Sequence, residues 1–104
     1  MEQPLDKAAA ETLIRRVAAL PTGVEFRSHC WKRMAQRGID ALDMVRLLRN
    51  SEVIGAAYKR SGEWRYRVRE RPGNAPPERR NLVVVVVVET DGLVSCHTVY
   101  RDRR

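Results

Sequence analysis

The stretch SHCWKRMAQRGID, residues 28–40, spaces His29, Arg33 and Arg37 four apart. On an α-helix that spacing lines up an imidazole and two guanidinium groups on one stripe. Together they suit one kind of chemistry: guanidiniums hold a phosphate through paired hydrogen bonds while an imidazole moves a proton. His29 also falls in the first turn of the expected helix, where free N–H groups and the helix dipole favour an anion. Near the end of the chain, HTVYR sets Thr98 and Tyr100 on one face of an expected strand, with Cys96, and His97 and Val99 on the other. A hydroxyl and a phenol so placed can orient a phosphate or relay a proton. Blander assignments compete for each: a solvated helix face for the first set, a core aromatic for Tyr100, and a packed or capped histidine for His97.

The wider composition favours polyanionic partners. Twenty Lys and Arg against thirteen Asp and Glu leave a formal charge of +7 over 104 residues. Most of the positive charge is arginine, which grips phosphate by a two-pronged bond where lysine offers a point charge. In EWRYRVR, Arg65, Arg67 and Arg69 alternate with Trp64, Tyr66 and Val68, so one strand face is core and the other basic. Arg65 and Arg67, with Arg79 and Arg80 in the proline-rich stretch ERPGNAPPERRN and Arg101 at the last strand, are the candidate nucleic-acid contacts.

Several classes are excluded by what the sequence lacks. The longest apolar run, 82–88, is too short to span a bilayer, and the N-terminus has no signal-peptide pattern, so a cytoplasmic protein without a membrane role is expected. Two cysteines do not make a disulfide framework. His29–Cys30 and Cys96–His97 contain the ligand types of a zinc site, but neighbours on a helix or strand diverge, and neither a metal nor another cofactor is expected. No Walker loop, GxGxxG, HExxH or Gly-x-Ser-x-Gly elbow occurs.

The elements that must position these residues read as three helices and then a sheet. Leu13, Ile14, Val17, Ala18 and Leu20 recur at helical spacing within residues 5–20, before Pro21 and Gly23. Ser28 is the expected cap of a second helix that ends at Gly38, and Asp40 the cap of a third carrying Leu42, Val45, Leu47 and Leu48 inward to Asn50. Strands follow at 53–59, 63–69, 82–88 and 93–101, with turns at 60–62 and at Asp91–Gly92 and an exposed, mobile loop at 70–81. The unbroken run LVVVVVV suits a central strand covered on both faces, or one with a face lining a site. The expected architecture is one α+β domain over residues 1–104, with about three helices packed on an antiparallel sheet of about four strands.

SHCWKRMAQRGID, the helix LDMVRLLRN, the RYRV strand, the valine-rich strand and the closing HTVYR together resemble the domain-of-unknown-function 4258 family. The likeness spans residues 26–101 and leaves residues 1–25 as an N-terminal helical extension. It centres on His-x-x-x-Arg-x-x-x-Arg-Gly, met by His29, Arg33, Arg37 and Gly38, and on Thr-x-Tyr, met by Thr98 and Tyr100. That family is similar to the barnase, EndoU, colicin and RelE group of small ribonuclease toxins. The resemblance therefore implies a RelE- or barnase-like fold and metal-independent RNA cleavage, with an acidic antitoxin as a possible partner.

On that expectation a 2′-hydroxyl attacks phosphorus, His29 serves as base or acid, and Arg33 and Arg37 hold the phosphate. Thr98 or Tyr100 supplies the second proton-transfer or orienting group. The alternative is a basic module that binds nucleic acid or an acidic protein without turnover. A third reading keeps the toxin-like fold as an interaction domain that pairs its sheet edge with a partner strand. The oligomeric state is left open.

Overall fold

The computed structural model describes residues 3–89 and 92–102. α1 (Lys7–Ala18) starts where the Asp6 carboxylate accepts from the Ala9 N–H at 2.8 Å, and it buries Ala10, Ile14, Val17 and Ala18. Leu20, expected on the inner stripe, lies past the helix end and is exposed. α2 (Ser28–Arg37) follows, with Arg27 rather than Ser28 in the cap position and no side-chain cap bond. It ends, as expected, at Gly38 in the left-handed region (φ 65°). α3 (Ala41–Arg49) is capped by Asp40, which accepts from the Asp43 N–H at 2.7 Å. Met44, Leu47 and Leu48 are its buried residues, while Leu42 faces outward and Val45 is half-buried.

The sheet has five strands rather than about four. β1 (Val24–Phe26) is too short for alternation to reveal it in the sequence. β2 (Ser51–Arg60), β3 (Glu63–Glu70), β4 (Leu82–Val88) and β5 (Val94–Arg101) are antiparallel neighbours, and β1 adds to β5 in parallel, in the order β1-β5-β4-β3-β2. The class is α+β as expected, but the sheet is mixed. The turn expected at Asp91–Gly92 involves Asp91, which lies outside the described residues; the Gly92 N–H donates to the Glu89 carbonyl at 3.0 Å.

The helices cover one face of this sheet. Ile14, Met34, Met44 and Leu47 share a core with Val53, Tyr66, Val68, Val84, Val86, Cys96 and Val99. The valine run is buried from Leu82 to Val87, yet only its alternate residues Leu82, Val84 and Val86 join that core. Val83, Val85 and Val87 are buried on the other face, where Val83 shares a pocket with Pro72, Ala75, Arg80 and Asn81 of the 70–81 loop.

α1 also protects an edge. The Val53 N–H on β2 donates to Glu11 Oε2, and Arg15 Nε donates to the Ser51 carbonyl, each at 2.8 Å. Backbone groups that an edge strand leaves unpaired are thereby capped by side chains.

Two irregularities decide which side chains face where. The β4–β5 register passes from Val85 opposite Thr98 to Val86 opposite Cys96, so His97 is an extra, bulged residue. Simple alternation would have put Cys96, Thr98 and Tyr100 together. The bulge instead sends Cys96 into the helix-side core and Thr98 and Tyr100 to the open face. A second register shift, between Ile54 and Tyr58 on β2, begins beside Gly55 at φ 68°.

Candidate nucleic-acid interface

The open face is built in rows across the strands. One row runs Ile54, Arg67, Val85, Thr98, and the next places Glu52 beside Arg69 and Val83 beside Tyr100. A cleft of about 470 Å³ lies over these rows, lined by Lys7, Glu52, Gly55, Arg67, Arg69 and Tyr100 among others. Arg69 is paired with Glu52 at 2.8 Å. Arg67 is different: its Nε is buried and has no acceptor among the described residues. Arg65, on the same face, also has a buried Nε without an acceptor, and its guanidinium stands 3.9 Å from Glu63.

Beside Arg65 the β5 bulge creates a small polar chain. Ser95 Oγ donates to Glu89 Oε1 at 2.6 Å, and Arg27 Nη2 donates to the same oxygen at 3.0 Å. Ser95 Oγ is also 3.2 Å from His97 Nε2. A serine has one proton to give, so with it on Glu89 the imidazole Nε2–H donates to Ser95 and Nδ1 is the ring's acceptor. Burial holds the His97 pKa below its ordinary value, helped by the Arg65 and Arg27 charges and opposed by Glu63 and Glu89. The ring is therefore biased to its neutral form.

The helical stripe exists as the sequence suggested. Arg33 Nε donates to His29 Nε2 at 3.4 Å, and Arg33 Nη1 to Gln36 at 3.0 Å, on the exposed side of α2. Cys30 and Met34 are the buried residues of this helix, whereas Trp31 and Ala35 are exposed. Cys30 and Met34 pack in the core with Cys96, so α2 lies on the face of β5 opposite Thr98 and Tyr100. The structure thus groups Thr98 and Tyr100 with Arg65 and Arg67, and sets His29, Arg33 and Arg37 across the sheet from them.

The model of a domain of unknown function, DUF4258, matches residues 26–101. The chain belongs to the DUF4258 family. The match runs from β1 through β5 and leaves α1 outside, so Lys7 reaches the cleft from beyond the DUF4258 segment. No curated protein and no solved structure matches the chain.

The remaining cations of this DUF4258 chain have other surroundings. Arg79 Nε donates to Glu70 Oε1 at 2.7 Å, and Arg79 Nη1 lies 3.4 Å from Asp43 Oδ1 on α3. The Glu70 side chain is 1% exposed, and its hydrogen bond with Arg79 raises the arginine's pKa further. Arg79 is therefore committed to tying the 70–81 loop to α3, and its short 3₁₀ turn, Pro77–Arg79, sits on that tether. Arg80 is exposed. Arg101 is opposite Leu82 and donates to the Arg80 carbonyl at 3.4 Å.

Both cysteines are buried, and burial pushes the Cys30 thiol up to about 11 and Cys96 higher still. Among the described residues no three His, Cys, Asp or Glu side chains converge as a metal-ligand set.

Sequence reasoning passed over Lys7, Glu52, Gly55, Ser95 and Glu89, and left Arg69 out of the site. Arg69 was available from the same alternation that selected Arg65 and Arg67. A glycine inside a strand pattern marks a bulge or a close approach, which is a signal for Gly55. The Ser95–His97 pairing depends on a bulge that nothing in the residue pattern announces.

Proposed function

We propose that this DUF4258 protein holds single-stranded RNA on its open sheet face. The observation that carries the reading is the pair of β3 arginines on that face: Arg67 lines the cleft with no ion pair among the described residues, and Arg65 stands no nearer than 3.9 Å to Glu63. With Nε enclosed, the outer Nη groups of Arg67 face the cleft, where a phosphate oxygen accepts in the strongest, charge-assisted form. Tyr58, opposite Arg65, and Tyr100, at the cleft, give the same face aromatic surfaces on which unpaired bases stack. The net charge of +7 draws a polyanion to the molecule. Fluorescence anisotropy with a labelled single-stranded RNA is the test. Tight, salt-sensitive binding that weakens in Arg65→Gln and Arg67→Gln is expected; preference for a polyglutamate of matched charge moves the reading to an acidic protein partner.

A second reading, metal-independent endoribonuclease, is favoured by His97. Its neutral ring stands beside Arg65 with Nδ1 as the acceptor. In such a reaction a base takes the 2′-hydroxyl proton, the oxygen attacks phosphorus, and the departing 5′-oxygen receives a proton, leaving 2′,3′-cyclic phosphate and 5′-hydroxyl ends. Incubation of the protein with RNA in EDTA, with the ends analysed, tests it. Cyclic ends that vanish in His97→Ala and persist in His29→Ala support cleavage on the open face. Loss in His29→Ala alone returns the chemistry to α2, and intact RNA leaves binding without turnover.

A further inference from the structure

Two of the three cations of the cleft, Lys7 and Arg67, have no ion pair among the described residues, and Arg67 is the one held against the strand. The cleft's charged lining comprises Lys7, Arg67, Arg69, Glu52 and Asp102, so three cations face two carboxylates. Arg69 is taken up by Glu52. Arg67 has no ion pair among the described residues, and its Nε is both buried and acceptorless. Its guanidinium leans over Gly55, where any Cβ would run into Nη2, and Gly55 holds a φ of 68° that side-chain-bearing residues rarely adopt. The strand thus gives up a side chain at the point where the guanidinium crosses it. Space matters too: about 470 Å³ falls within the roughly 300–1,000 Å³ of small-molecule clefts and is far more than one phosphate fills. Tyr100 and Ile54, both in the lining, supply an aromatic wall and an apolar neighbour for whatever occupies the remainder.

We propose that this cleft is a single-nucleotide subsite, in which Arg67, kept in place over the bare backbone of Gly55, takes a phosphate group and Tyr100 packs against the attached base. The proposal rests on the reading of the open face as an RNA platform and says where one unit of the strand sits. Lys7 is the second cation within reach of the phosphate. Gly55 is a positioning residue, since it acts through Arg67 and touches no ligand itself.

The test is an NMR titration of the whole chain with uridine 5′-monophosphate, with inorganic phosphate and uridine as separate probes. The monophosphate is expected to shift the Arg67 guanidinium signals as the Nη groups facing the cleft gain an acceptor, with coincident shifts at Gly55 and Tyr100. Phosphate alone should bind more weakly through Arg67, without the Tyr100 shift. Arg67→Gln should lose about tenfold or more in affinity, since a charge-assisted bond is removed. Gly55→Ala should weaken binding with Tyr100 retained, and Arg67→Gln carries the test should Gly55→Ala lose its folded spectrum. Unchanged affinity in Arg67→Gln, or saturation that leaves the Arg67 signal in place, overturns the subsite. Salt-dependent RNA binding of wild-type strength with no mononucleotide in the cleft also overturns it and spares the wider reading; absence of all RNA binding overturns both.

Discussion

His29 and Tyr100 stand on opposite sides of the sheet. His29 rides on α2, which packs Cys30 and Met34 into the helix-side core, while Tyr100 projects from β5 on the open face beside the arginines of β3. Substitutions on the two sides should therefore separate. Arg67→Gln and Tyr100→Ala are expected to weaken single-stranded RNA binding, and Arg67→Gln should lower the slope of log affinity against log salt by about 0.7, the value for one phosphate contact on a single strand. His29→Ala should leave both quantities near wild type. Anisotropy titrations at several salt concentrations measure them, and an unchanged slope in Arg67→Gln would remove this residue from the phosphate contacts.

Glu70 and Arg79 give a stability prediction free of RNA. The carboxylate is almost wholly buried and accepts from Arg79 at 2.7 and 3.3 Å. Arg79→Met would strand a buried negative charge, and breaking such a pair from one side costs about 3–5 kcal/mol. Urea unfolding should show a loss of that order for the single variant. A double variant, Glu70→Gln with Arg79→Met, should recover part of it, because no unpaired charge is then left inside. If the two single changes simply add in the double, the residues do not act as a pair.

The gross fold was legible because its signals are local. Asp40 as a cap, Gly38 as a left-handed stop, and the Trp64–Arg69 alternation are each settled within a few residues, and all three appear as read. β1 was not legible, since three residues cannot show a period and its parallel partner lies about seventy positions away. Helical spacing from the Asp40 cap suggests Leu42 as an inward residue, whereas the structure exposes it and buries Met44. For the site, alternation carried the basic face but failed at His97, where one inserted residue reverses the side of everything before it. The mistaken partnership of Cys96 with Thr98 and Tyr100 follows from that single residue. Nor does a sequence show that Arg79 is spent on Glu70 while Arg67 is not.

Thiol chemistry provides a third check. Cys30 and Cys96 are both fully buried, and burial pushes the Cys30 thiol up to about 11. Thiolate is the reactive form, so neither residue should be modified by iodoacetamide at pH 8 in the native protein. Mass spectrometry should find both alkylated once the chain is unfolded in guanidinium. Rapid native labelling of Cys96 would show that the α2–β5 packing opens readily.

The last prediction concerns His97, whose folded pKa is held below 6.5 by burial first and by Arg65 next. Below its ordinary pKa the unfolded chain takes up a proton that the folded ring resists, so the unfolded state binds more protons in that window. Stability from this residue is thus complete above about pH 6.5 and is lost as the pH falls from there toward the folded pKa. Unfolding free energies should decline between pH 7.5 and 5, and His97→Gln should remove that part of the decline. Arg65→Gln should raise the His97 pKa in an NMR titration by taking away a facing positive charge, with Glu63 and Glu89 still favouring the proton. A His97 signal unaltered by Arg65→Gln would mean that burial and the Arg27 charge depress it without Arg65. The arginine would then have no electrostatic hold on the imidazole, and the case for joint action of these two groups on an RNA phosphate would fail.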